Sequence, residues 1–229
     1  MLAMRMLVVF EKGTPLRHIG HLDLMRTMQR ALRRSGLPVA YSQGFNPHIL
    51  ANFASALSVG VAGKKEIMDV ALTETITPDV FIKNLNSALP PALQVLAAYP
   101  VEDSHPAPMA QLAAASYTIS LMDPVGETLV NAIPSFLEKH EIFAMRKTKS
   151  GEKLCDIRPM IYNLTARAED GHWMLDATLA LREEATLKTD LLISSLCLHA
   201  NVPNPKFYVV RTGLWGKGKD GNLAALETL

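Results

Sequence analysis

Pro100, Pro106 and Pro108, with an alanine run at 113–115, break the 229-residue chain into two stretches that carry the same succession of elements. In the first, 5–11 reads as a strand and 21–35 as a helix. Strands follow at 39–42, 49–57 and 66–72, then a helix to residue 89 and a strand at 93–99. In the second, a strand at 117–121 precedes a helix at 124–141 that Pro134 kinks. Next come a hairpin of 142–147 with 153–158, strands at 160–168 and 172–182 joined by Asp170-Gly171, a helix at 188–200 and a strand at 206–212. Strand, helix, two or three strands, helix, strand is the order of the split βαβ plan. The predicted class is therefore α+β: two tandem ferredoxin-like (split βαβ) halves packed around a cleft. The N-terminal half spans 1–100, a linker 101–116, the C-terminal half 117–215 and a flexible tail 216–229. This length holds one large core or two small ones.

The chemistry concentrates in residues 17–48. Gly20 serves as N-cap of the first helix, and Asp23 sits at its third position, where the helix dipole favours a carboxylate. Gly36 supplies a left-handed stop and Pro38 forbids continuation. At 100° per residue, Leu24, Met25, Met28, Ala31 and Leu32 fall on one side and Arg26, Arg30, Arg33 and Arg34 on the other. The apolar side needs a sheet beneath it. The arginine side is either a solvated surface or a comb of planar forks for phosphate or carboxylate.

The loop that follows, Ser42-Gln43-Gly44-Phe45-Asn46-Pro47-His48, is unusual for a plain connection. Gly44 permits a positive φ, and Asn46-Pro47 favours a turn. Phe45 is either a plug into the core or an exposed stacking surface. If the loop folds back over the helix start, His18, His21 and His48 converge as candidate acid–base groups. No Ser/His/Asp set, Cys/His set or paired carboxylates accompany them, so no catalytic role is assigned. Acids at metal-ligand spacing are also missing, which argues against a metal centre.

Four runs carry a family resemblance. They are Gly20-His21-Leu22-Asp23 with Arg26; Ala31-Leu32-Arg33-Arg34-Ser35-Gly36-Leu37-Pro38; Tyr41 through His48; and Leu57-Ser58-Val59-Gly60 with Glu66. Together they resemble the bacterial DUF2344 family of radical SAM-associated proteins, strongly over the first third of the chain and in outline beyond it. Gly20 stands where the family has serine, Ile49 where it has proline, and Ala62-Gly63 where it has serine. The resemblance implies a radical SAM protein as partner, because the family is tied to such enzymes by name and gene arrangement.

Composition narrows the function. Net charge is +1, so polyanion binding has to rest on local patches. The two cysteines, Cys155 and Cys197, are far apart, and no three-cysteine cluster motif exists. Free thiols in a cytoplasmic protein are expected. No run approaches a membrane span, and the start lacks the pattern of a signal peptide. The second half adds a basic hairpin with Arg146, Lys147, Lys149, Lys153 and Arg158, which either blocks edge pairing or touches nucleic acid. Trp215 either closes the core or stacks. The function expected is a non-catalytic accessory protein that binds structured or single-stranded RNA and delivers substrate to a radical SAM enzyme. Its RNA contacts are Arg17, Arg26, Arg30, Arg33, Arg34, Phe45, Asn46, Arg146 and Lys147, and it needs no cofactor. The alternatives are a protein-only partner of such an enzyme and a His-dependent RNA-processing enzyme.

Overall fold

The computed structural model describes residues 3–122, 125–148, 151–182 and 184–229, without the side chains of 147 and 148. The chain forms two compact units, Met1–Leu112 with Gly213–Leu229, and Ala113–Thr212. Both are α+β; the first runs strand, helix, strand, strand, helix, strand, and the second has that order with an extra hairpin after its first long helix.

In the first unit, β1 (Met4–Lys12) is the central strand. It pairs antiparallel with β3 (Val61–Leu72), from Met4 opposite Leu72 to Phe10 opposite Glu66. On its other side lies β4 (Leu93–Val101), also antiparallel. The short β2 (Ala51–Phe53) joins the far edge of β3, which makes the order β4-β1-β3-β2. Two helices, α1 (His21–Arg34) and α2 (Pro78–Ala88), supply the layer this sheet needs. Met6, Val8 and Phe10 of β1, with Met68, Val70 and Leu72 of β3, share one core with Leu24, Met28 and Leu32 of α1 and Phe81 and Leu85 of α2. Both helix starts obey local rules. Gly20 stands at the α1 N-cap in extended conformation, and the Thr77 hydroxyl accepts the Val80 N–H at the start of α2. Gly36, at φ +69°, ends α1.

The second unit places β5 (Leu112–Leu121) beside β9 (His172–Ala180), and β9 beside β8 (Ile161–Glu169), all antiparallel. Asp170 and Gly171 turn β8 into β9 with positive φ at both positions, as a two-residue hairpin of this sequence requires. β10 (Phe207–Lys217) starts where the Met122 N–H donates to the Lys206 carbonyl, on the far side of β5, so the order is β10-β5-β9-β8. The helices are α4 (Gly126–Leu137) and α5 (Thr189–Ala200), and α3 (Pro108–Gln111) is a single turn before β5. Inserted between α4 and β8 is a separate hairpin of β6 (Phe143–Thr148) and β7 (Gly151–Asp156). The expected helix start at Pro124 and turn residues 149–150 lie outside the described residues.

The strand expected at 49–57 is only Ala51–Phe53, the strand expected at 66–72 begins at Val61, and the helix expected at 124–141 is Gly126–Leu137. Three further differences have a clear physical reason. The expected strand at 39–42 is only a pair of isolated bridges, Val39 with Leu72 and Tyr41 with Ile49, because the chain leaves the sheet edge to build the 42–48 loop. The expected linker at 101–116 shrinks to 102–111, since β4 reaches Val101 and the alanine run is already β5. The expected flexible tail is folded. β10 runs to Lys217, and β11 (Leu223–Ala225) returns along it with Trp215 opposite Ala225, burying Leu226. Its turn is locked by the Asp220 carboxylate, which accepts the Asn222 backbone and side-chain N–H groups at 3.0 and 2.8 Å. Those bonds, the side-chain one foremost, hold the Asp220 pKa below the usual carboxylate range. Among the described residues no helix is long and apolar enough to cross a membrane.

Candidate nucleic-acid interface

α1 keeps the two faces its spacing implies. Leu24, Met28, Ala31 and Leu32 are buried, while Arg26, Arg30, Arg33 and Arg34 are exposed. Arg26 pairs with Asp23 at 3.1 Å, but both side chains are about two-thirds exposed, and such a pair contributes well under ~1 kcal/mol. Arg34 donates from Nη2 to the Ala88 carbonyl at 2.7 Å, satisfying the last residue of α2. With Arg30, Thr27 and residues 88–90 it lines a surface hollow of about 400 Å³. Among the described residues, Arg30 and Arg33 have no ion pair.

The approach to α1 is held by Lys12, which lies one residue past the strand expected at 5–11 and is the last residue of β1. Lys12 is 1% exposed, and its ammonium donates to the carbonyls of Arg17 (3.3 Å), Ile19 (3.0 Å) and Val61 (3.2 Å). The Gly60 N–H reaches the Arg17 carbonyl as well, at 2.8 Å. Glu66 is buried nearby in β3, packed so closely on Gly63 that a Cβ there would lie 2.5 Å from its Oε1. Any side chain at Gly63 requires the Glu66 side chain to shift. The signal for Lys12 was in the alternation: Met6, Val8, Phe10 and Lys12 occupy successive inward positions of a strand. His18 is exposed on this approach. His21 sits half-buried with its ring edge toward Phe53, centroids 5.6 Å apart, and its Nδ1 has no hydrogen-bond partner.

The loop at 42–48 is closed by its own ends. The Ser42 N–H donates to the His48 carbonyl at 2.8 Å, the His48 N–H donates to Ser42 Oγ at 3.1 Å, and Ser42 Oγ lies 2.8 Å from His48 Nδ1. Gly44, at φ +118°, makes the turn. Phe45 projects fully into solvent, and Asn46 beside it is exposed. Phe45 is therefore not a core plug. Its phenyl forgoes about 2 kcal/mol of burial, which a stacking partner can return.

These groups are anchored to different stretches of β3. The Arg17 carbonyl is tied to Gly60 and, through Lys12, to Val61, at the start of β3. Pro38, just past α1, receives the Thr73 N–H beyond the other end of the same strand. The 42–48 loop springs from the Thr73 end, where Ala40 and Leu50 bond Ala71. His18 is exposed, His21 packs its ring edge on Phe53, and His48 bonds Ser42. Among the described residues no group of three or more His, Cys, Asp or Glu is arranged to hold a metal ion.

In the second unit, Arg146 of β6 is half-buried and sits opposite Lys153 of β7. Lys147 is opposite Glu152 in register, and its side chain lies outside the described residues. Arg158 is not part of a free basic patch, because it donates to the carbonyls of Leu137 and Ile161 at 3.0 and 3.4 Å. Trp215 is half-buried. Both cysteines are free, and burial pushes the Cys197 thiol pKa up.

The profile of a family described as "Uncharacterized protein conserved in bacteria (DUF2344)" matches residues 5–189, and the chain belongs to that family. No curated protein matches it. Among solved structures, a chain of the "Crystal Structure of a Cbf5-Nop10-Gar1 Complex" superposes with a TM-score of 0.53 at 12% identity, over 91% of this chain and 48% of that one. This chain thus spans about half the length of that relative, and the likeness concerns fold alone. An unknown protein from Galdieria sulphuraria aligns over 91% of this chain and 98% of its own at 10% identity, with a TM-score of 0.28, too low to carry any argument.

Proposed function

We propose that this member of the DUF2344 family is a non-catalytic accessory protein that binds RNA and presents it to a radical SAM enzyme for modification. The observation that carries the proposal is the outer face of α1. Arg30 and Arg33 are exposed, and among the described residues no acid neutralises either. Such a face on a chain of net charge +1 is a local anion site rather than part of a general basic field. Phe45 and Asn46, exposed on a loop that hydrogen bonds hold closed, supply the other need of single-stranded RNA: a ring to stack on and an amide to read a base edge. In this reading the two units are tandem ferredoxin-like halves, and the strand orders β4-β1-β3-β2 and β10-β5-β9-β8 support that description. The partner enzyme rests on the family's association with radical SAM proteins. Crosslinking in cells followed by sequencing of bound nucleic acid tests the proposal. Enriched RNA that disappears in Arg30→Ala with Arg33→Ala is the expected result, and no enrichment sinks it.

One observation favours a protein-only partner instead. Leu22 and Val59 are 67% and 63% exposed beside Gly20, an apolar pair suited to a protein contact. In that case a radical SAM protein co-purifies with the wild type, is lost with Leu22→Asp, and the arginine double variant retains it.

A further inference from the structure

Inside the second unit, between β6 of the inserted hairpin and α5, lies a cavity of about 840 Å³. That volume suits a ligand of nucleotide or cofactor size. Its apolar wall includes Met145, Leu191 and the half-buried ring of Phe207, and its charged groups are Arg146, Lys188 and Asp190. Among the described residues none of those three charges is in an ion pair.

A second observation concerns Arg146 itself, which faces exposed Lys153, a residue outside the cavity lining. The register sets Arg146 directly across from Lys153 on the same face of the hairpin. Like charges so placed destabilise a strand pair, and one cation would already protect the edge. An anion bound to Arg146 would offset its charge and lower that repulsion. The guanidinium of Arg146 matches a phosphate in a bidentate fork, and Lys188 adds a point charge. Asp190 would oppose a simple anion, but it gains a partner if the ligand also carries N–H donors. A planar ring against Phe207 and Met145 completes the set.

We propose that this cavity binds a mononucleotide unit, a base with a phosphate, either free or as an unstacked nucleotide of a strand. The proposal uses only residues of the second unit and does not rest on RNA binding at α1. Calorimetric titration of the full chain with AMP, CMP, GMP and UMP tests it. Saturable binding of at least one is expected, tenfold or more tighter than its nucleoside or inorganic phosphate alone. Arg146→Glu and Lys188→Glu each weaken it tenfold or more while circular dichroism and the melting temperature hold. Phe207→Ala weakens the nucleoside share. If that variant fails to fold, Met145→Ala, at an exposed position, reports the same loss. Arg30→Ala with Arg33→Ala leaves nucleotide binding unchanged. A short RNA that competes identifies a strand as the source, and one that does not identifies the free nucleotide. The proposal is overturned if no nucleotide saturates, if phosphate alone binds as well, if Arg146→Glu binds like the wild type, or if the α1 double variant abolishes binding.

Discussion

Lys12 and the arginines of α1 are cations of one unit, and the fold treats them in opposite ways. Lys12 is sealed inside, with three carbonyls around its ammonium. Arg30 and Arg33 stand in water and, among the described residues, without an ion pair. A buried charge is tolerated only when its hydrogen-bonding capacity is met, and then it fixes whatever it bonds. An exposed, unpaired charge fixes nothing and stays available. The contrast separates a residue that holds the approach to α1 in place from residues that meet a partner.

The sharpest way to break this contrast is Lys12→Met, which keeps the length and removes the charge. Three carbonyls lose a charged donor, and residues 17–19 lose their anchor to Val61. Destabilisation of about 3 kcal/mol is expected by chemical denaturation. A change within ~0.5 kcal/mol would mean that Lys12 is no more structural than a surface lysine. Arg30→Ala with Arg33→Ala is the mirror experiment. Stability should stay within about 0.5 kcal/mol, whereas affinity for single-stranded RNA at low salt should fall tenfold or more. The slope of log affinity against log salt should flatten by about 1.4, for two lost phosphate contacts at roughly 0.7 each. An unchanged slope would turn the arginine face back into a solvated surface.

How far the sequence displays this contrast depends on the kind of signal. α1 and α2 are legible to within a residue or so, because Gly20, Gly36 and the Thr77-Pro78 pair are local stops and starts. The Asp170-Gly171 hairpin is legible for the same reason. The α1 arginines show in the helical spacing, although only coordinates reveal which of them meet acids. The alternation of β1 puts Lys12 on its inward row, but the carbonyls of Arg17, Ile19 and Val61 that satisfy the buried charge arrive from elsewhere in the chain, and no local pattern announces them. Phe45 misleads a reader who expects large apolar groups to be covered, since the bonds between Ser42 and His48 hold its loop away from the core. The last strand, β11, is three residues long and depends on Asp220 and Asn222 to lock its turn, so composition makes it look like a frayed end.

A smaller effect is expected from Phe45→Ala. The side chain touches no core, so folding should be unchanged or slightly improved. RNA affinity should drop by about 1 kcal/mol, the low end for loss of one stacked base. Equal affinity in fluorescence anisotropy would show that the exposed ring serves another partner.

The smallest effect extends the contrast to a third setting, a half-buried imidazole beside a lysine. His199 of α5 has its ring 5.5 Å from that of Phe136 and its Nε2 2.8 Å from Ser135 Oγ on α4. Burial, and then the nearby Lys139 charge, lower its pKa below the ordinary histidine value of 6.5. In the folded chain this ring holds its proton less tightly than in the unfolded one. Between the lowered value and about 6.5 the unfolded state therefore binds more protons, and stability falls as pH drops through that window. Above it the group contributes no slope. His199→Gln keeps a polar group facing Ser135 and removes the titration. Urea midpoints at pH 5, 6 and 7 should converge for the variant relative to the wild type. If both lose the same stability on acidification, the slope belongs to other groups, and His199 is an ordinary surface histidine.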